Sequence, residues 1–244
     1  MKNKEYFVET SNNKITYTVV KTKRKTIGIT IDMNGEVKVS APLRINEKQI
    51  CEVVQKKADW IVKKVNEVRE RKANTVCREF VSREKFPYLG KEYTLEIVER
   101  DLGKVEVLMQ EDTVVVYISQ GMSEESRKQA IKEALIKWYR QRFAEIVKER
   151  IEKYSLQLKV APCKVVIKDQ KTRWGSCSKK GNINLNWRLV MAPIDIIDYV
   201  VVHELCHLRI MNHSKDFWNL VVSILPNYTE GREWLKVNGN RLGI

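Results

Sequence analysis

Alternating apolar and polar residues predict two neighbouring β-strands near the start of the chain. The alternation covers Thr26 to Asp32 and Val37 to Ala41, and a period of two is typical of a strand with one buried face. Asn34 and Gly35 lie between the two stretches and tolerate the positive φ angles of a tight turn. The pattern therefore predicts a β-hairpin that ends at Pro42.

Four longer stretches repeat their apolar residues at helical spacing, and their first residues favour a helix start. Asn46 and Gln49 match the pattern of a capping box, and Ser214 is a favourable N-cap. Pro193 precedes another stretch, in a position where proline suits the first turn of a helix. The predicted helices cover about residues 46–71, 123–154, 194–208 and 214–225.

Further strands are predicted on both sides of the longest helix. Three of them, expected to form a meander, cover residues 93–98, 104–109 and 113–118, and two short ones cover 163–168 and 182–186. No internal repeat is evident. The pattern predicts an α+β protein with two subdomains. Residues 1–118 form a β-rich N-terminal subdomain containing the helix at about 46–71, and residues 119–244 form the second.

The chain carries a large excess of positive charge. Its 244 residues include 45 Lys and Arg against 31 Asp and Glu, which gives a formal net charge of +14. Such an excess favours anionic ligands such as nucleic acid or nucleotides at the surface. A solvated basic surface is the simpler explanation, so composition alone leaves the partner open.

Cysteine usage and the distribution of apolar residues exclude several classes of protein. The cysteines are an odd number without a C-x-x-C pair, which argues against a disulfide framework or a cysteine zinc knuckle. The start lacks the apolar stretch of a signal peptide, and no run approaches the roughly 18 apolar residues of a membrane helix. We therefore expect a cytoplasmic protein without a membrane segment. The cysteines are Cys51, Cys77, Cys163, Cys177 and Cys206.

The predicted helix at 194–208 contains an H-E-x-x-H motif, from His203 to His207. On a helix these two histidines lie one turn apart on the same face, so both imidazoles reach one ion. Glu204 is offset by about 100 degrees of helical rotation, beside the ion and not directly on it. That placement suits a base that acts on metal-bound water.

A third ligand is needed if a fourth position is to stay open for water. The chain has only three histidines, and the remaining one, His213, follows His207 closely enough for the chain to turn back toward the ion. Neutral imidazoles and an open tetrahedral site favour zinc. Manganese, cobalt and nickel remain alternatives.

Two other interpretations of the motif were weighed. Histidines on a buried helix sometimes only satisfy hydrogen bonds in the core, but the helical context and the third histidine together favour metal binding. The spacing also matches the metzincin pattern H-E-x-x-H-x-x-G-x-x-H. However, Ile210 occupies its glycine position and no downstream Met-turn is evident, so that assignment is declined.

Four segments of the sequence resemble the YgjP-like metallopeptidase family, relatives of the SprT-like and other H-E-x-x-H zinc hydrolases. The resemblance covers most of the chain and is most specific in the C-terminal half. It implies a zincin-like catalytic half in which a long helix, a small sheet and the metal helix pack together, with His203, His207 and His213 as ligands. The segments are Thr172–Ser178, Gly181–Asn186, Val202–Leu208 and Asn212–Trp218.

The resemblance also implies substrate-binding residues around the motif. The strand containing Asn184 and Asn186 is expected to bind an extended peptide by strand addition, although it can equally be an ordinary strand. Arg173 and Trp174 are expected to line the cleft. An equally weighted alternative is that Trp174 is a core anchor. Tyr228 is a candidate donor to an oxyanion, or an ordinary packed tyrosine.

Cys177 and Cys206 lack metal-ligand spacing and are assigned to packing.

The expected activity is hydrolysis by metal-activated water with Glu204 as the general base. The first hypothesis is a zinc metallopeptidase that acts on peptides. The second is a nucleoside triphosphate pyrophosphatase that releases UMP from UTP, because relatives of the family carry that assignment. The third is a nucleic-acid-associated protein with a structural metal, which would leave Glu204 without a purpose. The sequence does not determine the oligomeric state.

Overall fold

The computed structural model describes residues 5–9, 14–32, 34–73, 78–101, 103–170 and 172–244. Within these ranges the protein is a mixed α+β structure with six α-helices and three small sheets, as the sequence pattern predicts. The chain divides into two compact units, residues 1–75 and 76–244. No helix in the described ranges combines the length and hydropathy that crossing a membrane requires.

The first unit contains a four-stranded sheet with the order β1-β2-β4-β3. β2 and β4 are parallel, whereas the two outer pairs are antiparallel. The β3–β4 pair confirms the predicted hairpin, and Gly35 in its turn has a φ of +84°. The strands are β1 (Glu5–Glu9), β2 (Lys14–Thr22), β3 (Gly28–Ile31) and β4 (Val37–Pro42).

Two helices follow this sheet, α1 (Glu47–Lys56) and α2 (Ala58–Ala73). The predicted capping box is confirmed, because Asn46 and Gln49 exchange hydrogen bonds between side chain and backbone. The prediction of one continuous helix over 46–71 is wrong, since the helix breaks at Lys57. The apolar face of the predicted helix includes Trp60, but this side chain is 44% exposed, whereas the neighbouring Ile61 is fully buried.

The second unit begins with another four-stranded sheet, of order β5-β6-β8-β7. The predicted meander is wrong, because β6 pairs with β8 in parallel and β7 lies at the edge. β8 takes the central position because Val114 to Ile118 are all buried, whereas β7 alternates with exposed residues. The strands are β5 (Lys85–Tyr88), β6 (Lys91–Glu99), β7 (Glu106–Gln110) and β8 (Thr113–Ile118).

The two four-stranded sheets have the same topology. In each, two antiparallel hairpins meet through a parallel central pair, and a helix with a polar N-cap follows, Asn46 in the first and Ser123 in the second. Strand order and helix placement are repeated, although the sequence pattern does not reveal it.

The helix after the second sheet, α3 (Glu124–Leu158), confirms the longest predicted helix. Leu95 and Val116 of that sheet share one buried cluster with Ile131 and Leu135 of α3. For this reason the compact units divide at residues 75 and 76, whereas the sequence placed a boundary at 118 and 119.

The remainder of the second unit carries a three-stranded sheet and three helices. The sheet has the order β10-β11-β9, with β11 parallel to β9 and antiparallel to β10. The sequence predicted β9 and β11 but not β10, and it predicted no helix after residue 226. The elements are β9 (Lys164–Lys168), β10 (Gly175–Cys177), β11 (Asn182–Asn186), α4 (Ile194–Cys206), α5 (Lys215–Ile224) and α6 (Tyr228–Asn238), with 3₁₀ turns at Trp187–Met191 and Gly239–Arg241.

Candidate metal centre

Helix α4 places two histidines on one face at its C-terminal end. It is buried along nearly its whole length, as expected for a helix that is apolar on all sides. His203 lies in its last turn. His207 is the capping residue immediately after the helix, and its backbone N–H donates to the His203 carbonyl at 3.3 Å. The predicted one-turn separation of the two imidazoles is therefore present.

A tight turn after α4 brings the third histidine back to the other two. The N–H groups of Arg209 and Ile210 both donate to the Cys206 carbonyl, each at 3.0 Å. His207 Nδ1 lies 3.0 Å from the Ile210 carbonyl oxygen, and because a carbonyl only accepts, Nδ1 carries the proton. The Nε2 lone pair of His207 is then left for a ligand.

The three imidazoles converge on one point. One ring nitrogen from each of His203, His207 and His213 lies within 4.8 Å of the others, and the Nε2 atoms of His203 and His213 are 3.0 Å apart. Tetrahedral ligands at a zinc–nitrogen distance of about 2.0–2.1 Å would be separated by roughly 3.3 Å. The donor set and its spacing therefore fit a zinc-sized ion.

The aromatic rings of Phe217 and Trp218 pack against the three histidines. The ring of Phe217, which is fully buried, stacks on His207 at 4.5 Å between centroids and meets His203 and His213 edge-on at 5.0 and 4.9 Å. Trp218 stacks on His213 at 5.7 Å. Both aromatic residues lie in the first turn of α5, whose predicted N-cap Ser214 accepts from the Phe217 N–H. Phe217 lies within one of the four family-like segments, but the sequence pattern alone indicates no role for it.

The environment of the cluster favours the neutral forms of His203 and His207. Burial, reinforced by the neighbouring histidines, lowers the pKa of His203 from 6.5 to about 3, and burial also lowers the pKa of His207. The neutral imidazole is the form that binds a metal.

Glu204 is buried beside the cluster, with 5% of its surface exposed. Burial raises its pKa from 4.5 to about 7, and the positive charge of Arg173 partly opposes that rise. Its Oε2 atom is buried and has no hydrogen-bond partner among the described residues. A buried carboxylate oxygen without a partner is costly, and it is available to accept a proton or a hydrogen bond.

Strand β10 shapes the pocket of this carboxylate through Gly175. A Cβ atom at Gly175 would lie 2.5 Å from Glu204 Oε1 and 2.7 Å from its Cγ. Only a glycine leaves room for the carboxylate here. The contact joins residues 29 positions apart, so the sequence carries no local signal for it.

The predicted substrate strand, β11, is the central strand of its sheet. Its backbone is paired with β10 on one side and with β9 on the other, so it has no open edge for strand addition. The edge strand beside Glu204 is β10. Asn186 N–H donates to the Trp174 carbonyl and Ser178 N–H donates to the Asn182 carbonyl. By alternation, the backbone groups of Gly175 and Cys177 point away from β11.

The two predicted asparagines of β11 are used within the fold. Asn186 is buried, and its Nδ2 donates to the carbonyls of Gln170 and Arg173 at 2.7 and 3.1 Å. It thereby fixes the loop that leads into β10. Asn184 Nδ2 donates to Ser176 Oγ across the sheet at 3.2 Å.

Arg173 and Trp174 precede β10 but have different surroundings. Arg173 is exposed, and its charge acts on Glu204 as described above. The Trp174 ring lies against Gly239, where an added Cβ would be 2.8 Å from Cζ2. This contact favours the core-anchor alternative for Trp174.

Helix α6, which was not predicted, carries two polar side chains that contact Trp218. Tyr228 stacks on Trp218 at 5.1 Å and on Tyr199 at 6.5 Å. Arg232, one turn later, lies over the Trp218 ring at 5.6 Å, and its positive charge contributes to the lowered pKa of His203. Arg232 is a candidate site residue that the sequence pattern does not predict, because the helix that carries it was not predicted.

The cysteines near the motif stand outside the cluster. Cys206 is fully buried, and burial raises the pKa of its thiol to about 12. Cys177 is half-buried, and burial together with the charge of Glu204 raises the pKa of its thiol. Neither belongs to the group of potential ligands found among the described residues.

Three histidines around one point beside a buried glutamate are the arrangement of a metal-dependent hydrolase. The family model for the YgjP-like metallopeptidase domain matches residues 25–238. The chain belongs to the YgjP-like metallopeptidase family, which confirms the resemblance seen in the sequence.

Comparison with individual proteins adds two partial similarities. No curated protein sequence matches the chain significantly. The chain is similar to the metallopeptidase zymogen abylysin of Pyrococcus abyssi, at 25% identity over 39% of this chain and 96% of that one, with a TM-score of 0.37. It is also similar to the metallopeptidase zymogen jannalysin of Methanocaldococcus jannaschii, at 24% identity over 37% of this chain and 86% of that one, with a TM-score of 0.33.

Proposed function

We propose that this member of the family is a zinc-dependent peptidase with a zincin-like active site. His203, His207 and His213 hold the ion, and Glu204 is the general base. The observation that carries the proposal is the buried Glu204 carboxylate, whose Oε2 has no partner among the described residues and which adjoins three converging imidazoles. When bound, the zinc ion would polarise a substrate carbonyl and make a water molecule acidic near neutral pH.

Side chains of the protein carry out the proton transfers and stabilise the developing charge. Glu204 accepts a proton from the attacking water as the oxygen of that water bonds to the carbonyl carbon. It then delivers the proton to the amine nitrogen as the carbon–nitrogen bond breaks. A carboxyl group with a pKa of about 7 in the absence of metal exchanges a proton readily near neutral pH. Tyr228 and Arg232 are the candidate donors to the negative charge that develops on the carbonyl oxygen.

We further propose that the peptide binds along β10 and not along β11. The outward backbone groups of Gly175 and Cys177 lie on the edge strand that touches Glu204. An extended peptide that pairs with this edge gains main-chain hydrogen bonds without any requirement for a particular sequence. The open edge of β10 supports a peptide substrate, because an amide bond of a peptide paired with it would lie close to the Glu204 carboxylate.

A parallel substrate assay tests this function. Zinc-loaded protein is incubated with unstructured peptides and, separately, with nucleoside triphosphates including UTP, each with and without a chelator. We expect chelator-sensitive peptide cleavage that Glu204→Gln abolishes. Release of UMP without peptide cleavage would contradict the proposal and support the pyrophosphatase hypothesis.

A further inference from the structure

An open cavity of about 390 Å³ adjoins the metal centre on the side of His207. It lies between the residues that follow α3, the turn that joins β10 to β11, and the segment after α4. Val160, Leu208 and Met211 give it an apolar lining, and His207 is part of its wall. The cavity therefore shares a side chain with the metal cluster.

Two lysines line this cavity, on the turn that joins β10 to β11. Lys179 and Lys180 are both exposed and belong to the turn closed by the Gly181 N–H, which donates to the Ser178 carbonyl at 2.9 Å. Gly181 has a φ of +74°, and a Cβ there would lie 3.2 Å from Cys163 Sγ. The turn packs against Cys163 in the cavity wall, which places the backbone of Lys179 and Lys180 beside the cavity.

The cavity begins where the proposed peptide-binding strand ends. Ser178, which lines it, directly follows Cys177, the last residue of β10. Ser178 follows Gly175 by three positions, which corresponds to about 10 Å of extended chain. A peptide that pairs with β10 would place its scissile bond near Glu204. At roughly 3.3 Å per residue, the side chain two to three residues from that bond would then reach the cavity.

The lining of the cavity selects one kind of side chain. It carries two positive charges and no Asp or Glu, and the apolar residues beneath suit a short methylene stem. We propose that the cavity is a substrate subsite for a glutamate side chain of the bound peptide, an inference that rests on the proposed peptidase function. The glutamate methylenes contact Leu208 and Met211, while its carboxylate pairs with Lys179 and Lys180.

The test is a position-by-position comparison of peptides that differ only by Glu, Gln or Lys at one residue. At one position, two or three residues from the cleaved bond, zinc-loaded wild type should favour Glu over Gln by about threefold to tenfold in kcat/KM. The double variant Lys179→Glu with Lys180→Glu should reverse the preference toward Lys. The matched control, Lys137→Glu with Lys148→Glu on exposed α3 positions, carries the same change in net charge and should keep the preference for Glu.

Binding gives a second readout that is independent of turnover. Fluorescence anisotropy of the same labelled peptides on the Glu204→Gln protein should show the same order of affinity, with the Glu peptide weakened by the change at Lys179 and Lys180. Cleavage without a preference for Glu, or with a preference that this change leaves intact, would overturn the subsite while the peptidase function stands.

Two other outcomes point elsewhere. If wild type cleaves none of the peptides, the proposed function fails and the subsite fails with it. If wild type hydrolyses nucleoside triphosphates and the change at Lys179 and Lys180 abolishes that hydrolysis, the lysines bind phosphate and the glutamate subsite is overturned.

Discussion

The backbone of Gly175 lies so close to the carboxylate of Glu204 that a single methyl group on Gly175 would collide with it. The added Cβ would be 2.5 Å from Oε1 and 2.9 Å from Cδ. A residue of β10, 29 positions earlier in the chain, therefore positions the base of the proposed reaction.

Gly175→Ala should displace Glu204 without removing a metal ligand. We expect kcat to fall by about two orders of magnitude, because a displacement of roughly 1 Å in a catalytic group costs that much. Zinc content should stay at the wild-type level. Gly243→Ala is the matched control, since an added Cβ at Gly243 meets no atom within 4 Å, and it should behave as wild type. Full activity in Gly175→Ala would show that Glu204 does not need this packing.

Phe217→Ala should weaken metal binding in addition to lowering stability. The variant removes a fully buried ring that contacts all three histidines, and a buried Phe→Ala change costs about 3–5 kcal/mol. Phe143→Ala, fully buried in α3, should cost a similar amount but leave zinc affinity unchanged. The measurements are urea unfolding of the metal-free proteins and a competitive zinc titration. Equal zinc affinity in both variants would remove the role assigned to Phe217.

Much of the centre was predictable from sequence because its spacing is local. The helix over α4 and the shared face of His203 and His207 follow from a period of 3.6 residues, and His213 follows from its short distance along the chain. The N-cap Ser214 was predictable for the same reason. The three histidines and Ser214 all lie within a dozen residues of each other.

The remaining features depend on contacts between distant segments. The edge position of β10 depends on which strands pair, and no periodicity in β11 distinguishes a central strand from an edge strand. The parallel β6–β8 pair was mistaken for part of a meander for the same reason. Arg232 was not predicted because the sequence of α6 lacks a strong helical signal. Pro226 lies just before this helix and Gly231 lies within it. Gly231 is required there by the Tyr199 side chain, 2.9 Å from where its Cβ would lie.

Arg232→Ala should impair turnover while the metal is retained. The guanidinium lies over Trp218 and its charge acts on His203, so its loss removes positive charge from the proposed oxyanion side. We expect kcat/KM for peptide cleavage to fall by about 10-fold to 100-fold, with partial recovery in Arg232→Lys. Lys236→Ala, one turn further along α6 and paired with Glu233, should retain wild-type activity. Unchanged kinetics in Arg232→Ala would place this residue outside the reaction.

Glu204→Gln should stabilise the metal-free protein in a pH-dependent way. The folded-state pKa of Glu204 is raised from 4.5 to about 7, so the folded protein binds this proton more tightly than the unfolded chain does. The contribution of Glu204 to stability is fully present below about pH 4.5 and is lost as the pH rises to about 7. Above that pH the buried charge costs about 3 kcal/mol, which the glutamine avoids.

The difference between the two proteins isolates this effect. The lowered pKa of His203 makes stability rise with pH between about 3 and 6.5, but this trend occurs in both proteins and cancels. The measurement is urea unfolding of chelator-treated wild type and Glu204→Gln at about pH 4, 6 and 8. An advantage of the variant that stays constant across this range would contradict the burial of an ionisable Glu204.

The central claim is that His203, His207 and His213 together hold one catalytic metal ion. Its most direct test is elemental analysis of purified wild type and of the three single His→Ala variants after dialysis against trace zinc. We predict about one zinc per wild-type chain and a marked loss in each variant, because each loses one of three protein ligands. Wild-type protein without a bound transition metal, or a His213→Ala protein with undiminished zinc, would contradict the claim.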